Sequence, residues 1–185
     1  MIRAIETNYR GYKMRSRLEA RWAVFFDRLG IEWEYEKEGY DLGSAGWYLP
    51  DFWLPQVSMW AEVKAGAFSE EESNKCRALA NMTACCVLQL DGTPTTSNYW
   101  ACAPDNSRWD DDPNDDGPLM VDYILQEGHR YWEHEHRFFS CSGASYPNRE
   151  GLQGGHQVGC LCSDCDMNGA VAAARSARFE HGETP

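Results

Sequence analysis

Five large apolar residues recur at one helical period near the start of the chain. Leu18, Trp22, Phe25, Phe26 and Leu29 fall at i, i+4, i+7, i+8 and i+11, so a helix gathers them on one face. An apolar stripe this wide has to be buried against another layer. Ser16 stands where an N-cap belongs, Glu19 follows three residues later as in a capping box, and Gly30 is a natural stop.

The next stretch reads as sheet. Residues 31–36 alternate apolar and acidic side chains, the pattern of a half-exposed strand. A turn-rich segment over 41–46 leads to a second strand over 47–54, whose Pro50 implies an edge or a bulge. A turn over 55–58 precedes a third strand over 59–64. Ser69 caps a helix over 70–81 with acids in its first turn, which the helix dipole favours. The apolar run 84–90 reads as a buried strand. Residues 7–14, rich in Tyr and basic side chains, read as an irregular lead-in. The order α-β-β-β-α-β gives an α/β (α+β) fold, a mixed sheet flanked by helices.

The rest of the chain differs in character. Asp105, Asp110, Asp111, Asp112, Asp115 and Asp116 crowd the segment 105–118, which reads as an acidic loop or insertion. A weak helical pattern runs over 119–139. Residues 140–165 are rich in Gly, Ser and Cys, and Asp166 is placed to cap an Ala-rich helix reaching about Phe179. The expected division is a core over 1–100, an acidic and helical region over 101–139, and a cysteine-rich tail over 140–185.

Composition sets outer limits. Hydrophobic content of 43% with eight Trp and nine Tyr excludes wholesale disorder. No apolar run approaches the roughly 20 residues of a membrane span. The first residues lack the apolar stretch of a secretory signal, so a soluble, cytoplasmic protein without membrane partners is expected. The net charge of −12 disfavours nucleic acid at first sight, but residues 1–30 carry seven Lys or Arg against three acids. A local basic face can still grip phosphates, although solvated helix charges give the same pattern.

One set of residues carries chemistry. Glu62 and Lys64 are two apart on a strand, so both leave the same face. A short turn joins that strand to the one bearing Asp51, which can then lie opposite. Two carboxylates at one sheet edge repel each other unless a cation neutralises them, and hard oxygen ligands suit Mg2+ or Mn2+. Lys64 beside such a cation can orient a water or help deprotonate it. Glu19 puts a third acid at the border of the apolar stripe, where a carboxylate is costly without a partner. Its bland reading is a capping-box acid. That of Glu62 and Lys64 is an ion pair on a solvated face.

Pro50-Asp51 followed by Glu62-Val63-Lys64, with Asp51 and Glu62 eleven residues apart, resembles the PD-(D/E)xK nuclease motif of the restriction-endonuclease-like superfamily. A glutamate on the preceding helix, here Glu19, fits the same superfamily, as does the element order. The resemblance covers roughly residues 10–90. It implies divalent-metal-dependent cleavage of DNA, or less often RNA, by a small enzyme of phage or bacterial type serving repair, recombination or genome processing. It makes Asp51 and Glu62 metal ligands, Val63 a backbone-carbonyl ligand and Glu19 a supporting acid, while Lys64 positions the nucleophile. Arg10, Lys13, Arg15, Arg17 and Arg21 are then the candidates for holding the DNA strand. Of these, Arg17 and Arg21 flank Glu19 on one helix. Lys75 is a weaker candidate. Many enzymes of this class pair subunits, so a homodimer is open.

The tail suggests a second metal. Cys160, Cys162 and Cys165, with Cys141 upstream and His156 as a substitute, supply the donors of a tetrahedral structural zinc site. Reduced, unliganded thiols are the alternative, and an Fe-S cluster is a third. Related nucleases place one cluster cysteine before the catalytic helix, and no cysteine precedes Cys76 here. His134 and His136 read as surface residues. The competing functional class is a non-catalytic binding protein, a nuclease-like scaffold whose acidic segment 105–118 engages a basic partner or mimics DNA.

Overall fold

The computed structural model describes residues 4–55, 58–95, 99–102, 104, 119–121 and 167–179. In chain order its elements are β1 (Thr7–Tyr9), β2 (Tyr12–Met14), α1 (Arg17–Arg28), β3 (Glu34–Tyr35), β4 (Tyr40–Asp41), β5 (Trp47–Tyr48), β6 (Phe52–Leu54), β7 (Met59–Lys64), α2 (Glu70–Thr83), β8 (Val87–Asp91), β9 (Tyr99–Cys102), β10 (Leu119–Val121) and α3 (Met167–Ser176). The acidic segment 105–118, the tail residues Cys141, His156, Cys160, Cys162 and Cys165, and His134 and His136 lie outside the described residues.

α1 starts where Ser16, in extended backbone, accepts the N–H of Glu19 on its hydroxyl. Trp22, Phe25 and Phe26 are fully buried, and Ala20, Ala23 and Val24 widen the stripe between them. Gly30 takes the left-handed conformation (φ 68°) that lets the chain reverse after the last turn. α2 opens on a complete capping box, with the Ser69 side chain on the Glu72 N–H and the Glu72 side chain on the Ser69 N–H. It runs on to Thr83, so β8 begins only at Val87.

These elements build one mixed sheet of order β10-β9-β8-β7-β6-β3. β7 and β8 are parallel, joined through α2, and the other neighbours are antiparallel. Side-chain alternation on β7 divides the core. Met59, Ala61 and Val63 face the α1 layer, whereas Trp60 faces Leu79, Ala80 and Cys76 of α2. α3 joins the α1 layer through Ala170 and Ala174, and Ala177 just beyond it is buried in the same cluster. Among the described residues no helix is long and apolar enough to cross a membrane.

Four expectations are corrected. Residues 7–14 form an antiparallel hairpin, with Tyr9 paired to Tyr12 across a two-residue turn. Arg10 (φ 46°) and Gly11 (φ 83°) are both left-handed, the turn that matches the twist of paired strands. The single strand expected over 47–54 is two: β5 pairs with β4 in a separate ribbon, and β6 enters the main sheet. Leu119–Val121, at the start of the weak helical pattern over 119–139, is a strand against β9, and the rest of that range lies outside the described residues. α3 ends at Ser176, before Arg178. β9 spans residue 100 and with β10 extends the core sheet.

Candidate active site

The break between β5 and β6 builds the site. Pro50 has no N–H to give a ladder, and Asp51 follows it as a bend. The Asp51 side chain takes over the missing pairing, with Oδ2 accepting the Val63 N–H at 2.8 Å. Its carbonyl accepts the Glu36 N–H at 2.9 Å, which continues the β3–β6 pairing. Phe52 pairs with Ala61, so one step back along β6 sets Asp51 across from Glu62. The aspartate is thus locked at the point where the sheet edge opens, 2% exposed.

Glu62 and Lys64 share a face of β7, as their spacing requires, and Lys64 Nζ lies 2.6 Å from Glu62 Oε1. Glu62 is 3% exposed, and its Oε2 is buried without a hydrogen-bond partner. An ionised oxygen in that state is costly, and a cation is the partner that relieves it best. Lys64 also has Glu72 of α2 at 3.9 Å. Burial works against its charge, but Glu62, with Asp51 and Glu72 behind it, outweighs burial and raises the Lys64 pKa.

Asp51 is under the opposite pressure. Burial first, then the charges of Glu62 and Glu19, push its pKa well above the ordinary carboxylate value. The Val63 N–H and the Arg15 guanidinium oppose that shift without cancelling it. Arg15 donates from an Nη nitrogen to Asp51 Oδ1 at 2.5 Å and from Nε to Glu36 Oε1 at 2.8 Å.

Glu19 enters from the α1 layer, and both its oxygens are engaged. Oε1 accepts from the Ser16 hydroxyl at 2.7 Å. Oε2 accepts from the Tyr35 hydroxyl at 2.6 Å and from the Arg15 N–H at 3.0 Å. This differs from the expected capping box, because the side chain reaches back one residue further than the N-cap. Glu19 ties the helix start, the hairpin exit and β3 into one unit beside Asp51.

The sequence-derived set therefore comes together around Asp51, with Glu62 and Lys64 on the α2 side and Glu19 on the α1 side. Hard oxygen donors, two facing carboxylates and an orphaned buried oxygen fit Mg2+ or Mn2+. As the side chains stand, no three His, Cys, Asp or Glu among the described residues converge as ligands. Arg15 on Asp51 and Lys64 on Glu62 are what stand between the carboxylates and such a cation.

No protein family, curated protein or solved structure matches this chain. The site therefore rests on its own geometry.

The basic residues expected to grip DNA are less free than their number suggests. Arg10 pairs with Asp27 at 2.9 Å, and Lys13 with Glu6 at 2.7 Å. Lys75 pairs with Glu71 at 2.8 Å. Arg21 is half-buried on α1, and its Nε has no hydrogen-bond partner.

Sequence reasoning missed Tyr35, Glu36, Tyr48 and Glu72. Tyr35 alternates inward on its strand, which is a detectable signal, and Glu72 is the capping-box acid three residues after Ser69. Tyr48 is a neighbour of Glu62. Burial, then Cys76 and Glu62, push its phenol far above the usual range. Nothing in its local sequence marks that position.

Proposed function

We propose that this protein is a divalent-metal-dependent nuclease of the PD-(D/E)xK type that hydrolyses phosphodiester bonds in DNA. The observation that carries the reading is the buried Asp51–Glu62 pair with Lys64 beside it, next to an unpartnered Glu62 oxygen. With the separate β4–β5 ribbon set aside, the order α1-β3-β6-β7-α2-β8, with β7 and β8 parallel, supports a restriction-endonuclease-like reading.

Asp51 and Glu62 would hold Mg2+ or Mn2+, with the Val63 carbonyl as a third oxygen. When bound, the cation supplies an acidified water and neutralises charge on the phosphate. The chain's own residues do the rest. Lys64, held against Glu62, would position the attacking water and attract the phosphate. Glu19 is a positioning residue that fixes the Arg15 backbone and the Tyr35 hydroxyl. Arg17 and Arg21, flanking Glu19 on α1, would hold the strand being cut.

Lys64→Ala tests this reading. Cleavage of plasmid and of single-stranded DNA should fall by about a hundredfold or more, the usual scale for removing one charge-stabilising group. Far-UV circular dichroism should stay close to the wild type, while the melting transition should fall because buried Glu62 loses its ion-pair partner. A folded Lys64→Ala protein that cuts as fast as the wild type would remove the proposal.

A further inference from the structure

Arg15 holds the one contact that most directly excludes a cation from Asp51. It sits between the end of β2 and the N-cap Ser16, and its backbone N–H is fixed by Glu19 Oε2 and the Tyr35 hydroxyl, each at 3.0 Å. The side chain is not fixed in the same way. It is 53% exposed, whereas the Asp51 side chain that it covers is 3% exposed. Its guanidinium also has two moorings, the Asp51 Oδ1 and the Glu36 Oε1. Glu36 is held in left-handed backbone (φ 45°), a conformation costly for a residue with a side chain, and there its carboxylate meets Arg15 Nε. An arginine moored twice can leave one anchor and keep the other.

The carboxylates need a counter-charge whether or not a metal is present. Asp51, Glu62 and Glu19 lie close enough that the charges of Glu62 and Glu19 both act on Asp51. Lys64 is bonded to Glu62, whereas the direct partners of the Asp51 carboxylate are the Val63 N–H and the Arg15 guanidinium. The Val63 N–H is backbone and cannot move away. Arg15 is the exchangeable partner.

We propose that Arg15 is a built-in counter-cation. Its guanidinium occupies Asp51 in the metal-free protein and has to withdraw onto Glu36 before a divalent cation can bind. The inference rests on the metal-dependent reading of the same site, and it adds a direction: Arg15 weakens metal binding at Asp51. Two positive groups cannot share Asp51 Oδ1, so cation affinity is reduced by whatever the Arg15–Asp51 contact is worth.

The test is calorimetric titration of Mn2+ alone, without DNA, into the full chain freed of metal by chelation and dialysis. It is run at pH 8, where proton competition for Asp51 is smaller. Wild type is compared with Arg15→Gln, which keeps a donor but no charge, and with Arg15→Lys, which keeps the charge. Asp51→Asn identifies the heat that belongs to this site. Arg15→Gln should bind Mn2+ about tenfold more tightly or better, the worth of one charge-assisted hydrogen bond written as an affinity ratio. Arg15→Lys should stay near the wild type, which also covers the case in which the neutral variant folds poorly, because a lysine that bound much more tightly would contradict the charge argument. Equal or weaker binding in Arg15→Gln, with an Asp51-dependent site still present in the wild type, overturns the inference and leaves the nuclease reading standing. Absence of an Asp51-dependent site from the wild type and both Arg15 variants overturns both.

Discussion

A carboxylate that is 2% exposed and faces two other acids keeps its charge only through what opposes burial. For Asp51 that opposition comes first from one backbone N–H and one guanidinium, and it falls short, so the folded pKa lies well above the unfolded value of 3.8. The linkage has a definite sign. A raised carboxyl pKa contributes stability that is fully present below 3.8 and is lost as pH rises through the folded value. Asp51→Asn removes that dependence. In urea unfolding with chelator present, the stability difference between variant and wild type should move in favour of the variant as pH is raised from about 4 to about 8. A difference that stays flat, or moves the other way, would mean that Asp51 is not strained by its charge. The same strain is what a divalent cation would relieve.

Among the elements, the β1–β2 hairpin has the most consequence for the site, because it delivers Arg15. Its turn needs two consecutive left-handed residues, and Gly11 supplies one of them without steric cost. Gly11→Ala should destabilise the fold by about 1 kcal/mol by strain alone, since a Cβ there meets no other atom within 4 Å. Chemical denaturation measures this directly, and an unchanged midpoint would show that the turn relaxes freely. The hairpin was not legible in the sequence for related reasons. Its strands are three residues long, and Arg-Gly replaces the Asn-Gly or Asp-Gly that usually marks such a turn. β7 was legible to the residue because Met59–Lys64 is bounded by a turn and carries its charges only on one face. α1 and α2 were legible through their caps, Ser16 and Ser69. The split of 47–54 was not, because it depends on the Asp51 side chain replacing a backbone partner, which is a tertiary event.

At the scale of the whole molecule, the sheet continues past the segment that resembles a nuclease. β9 and β10 extend it on one side, and α3 packs on α1 through small residues that allow close approach. Residues beyond the first ninety therefore help to build the layers that hold the site. The grouping of Asp51, Glu62 and Lys64 was legible from spacing, since it needs only adjacent strands in register. The ion-pair economy was not, because Arg15 reaches Asp51 across thirty-six positions of sequence and Glu36 follows β3 in a conformation no propensity favours. The −12 net charge is compatible with a nucleic-acid substrate where phosphate is drawn by a bound cation or by the locally basic first thirty residues.

The most direct measurement is therefore the metal dependence of cleavage itself. Plasmid and single-stranded DNA are incubated with the full chain in Mg2+, in Mn2+ and in chelator, with Asp51→Asn and Glu62→Gln alongside. The account predicts strand cleavage in Mg2+ or Mn2+, none in chelator, recovery when the metal is restored in excess, and loss of activity in both variants. Cleavage that persists in chelator, or a folded wild type that binds Mn2+ at this site and cuts neither DNA, would contradict it.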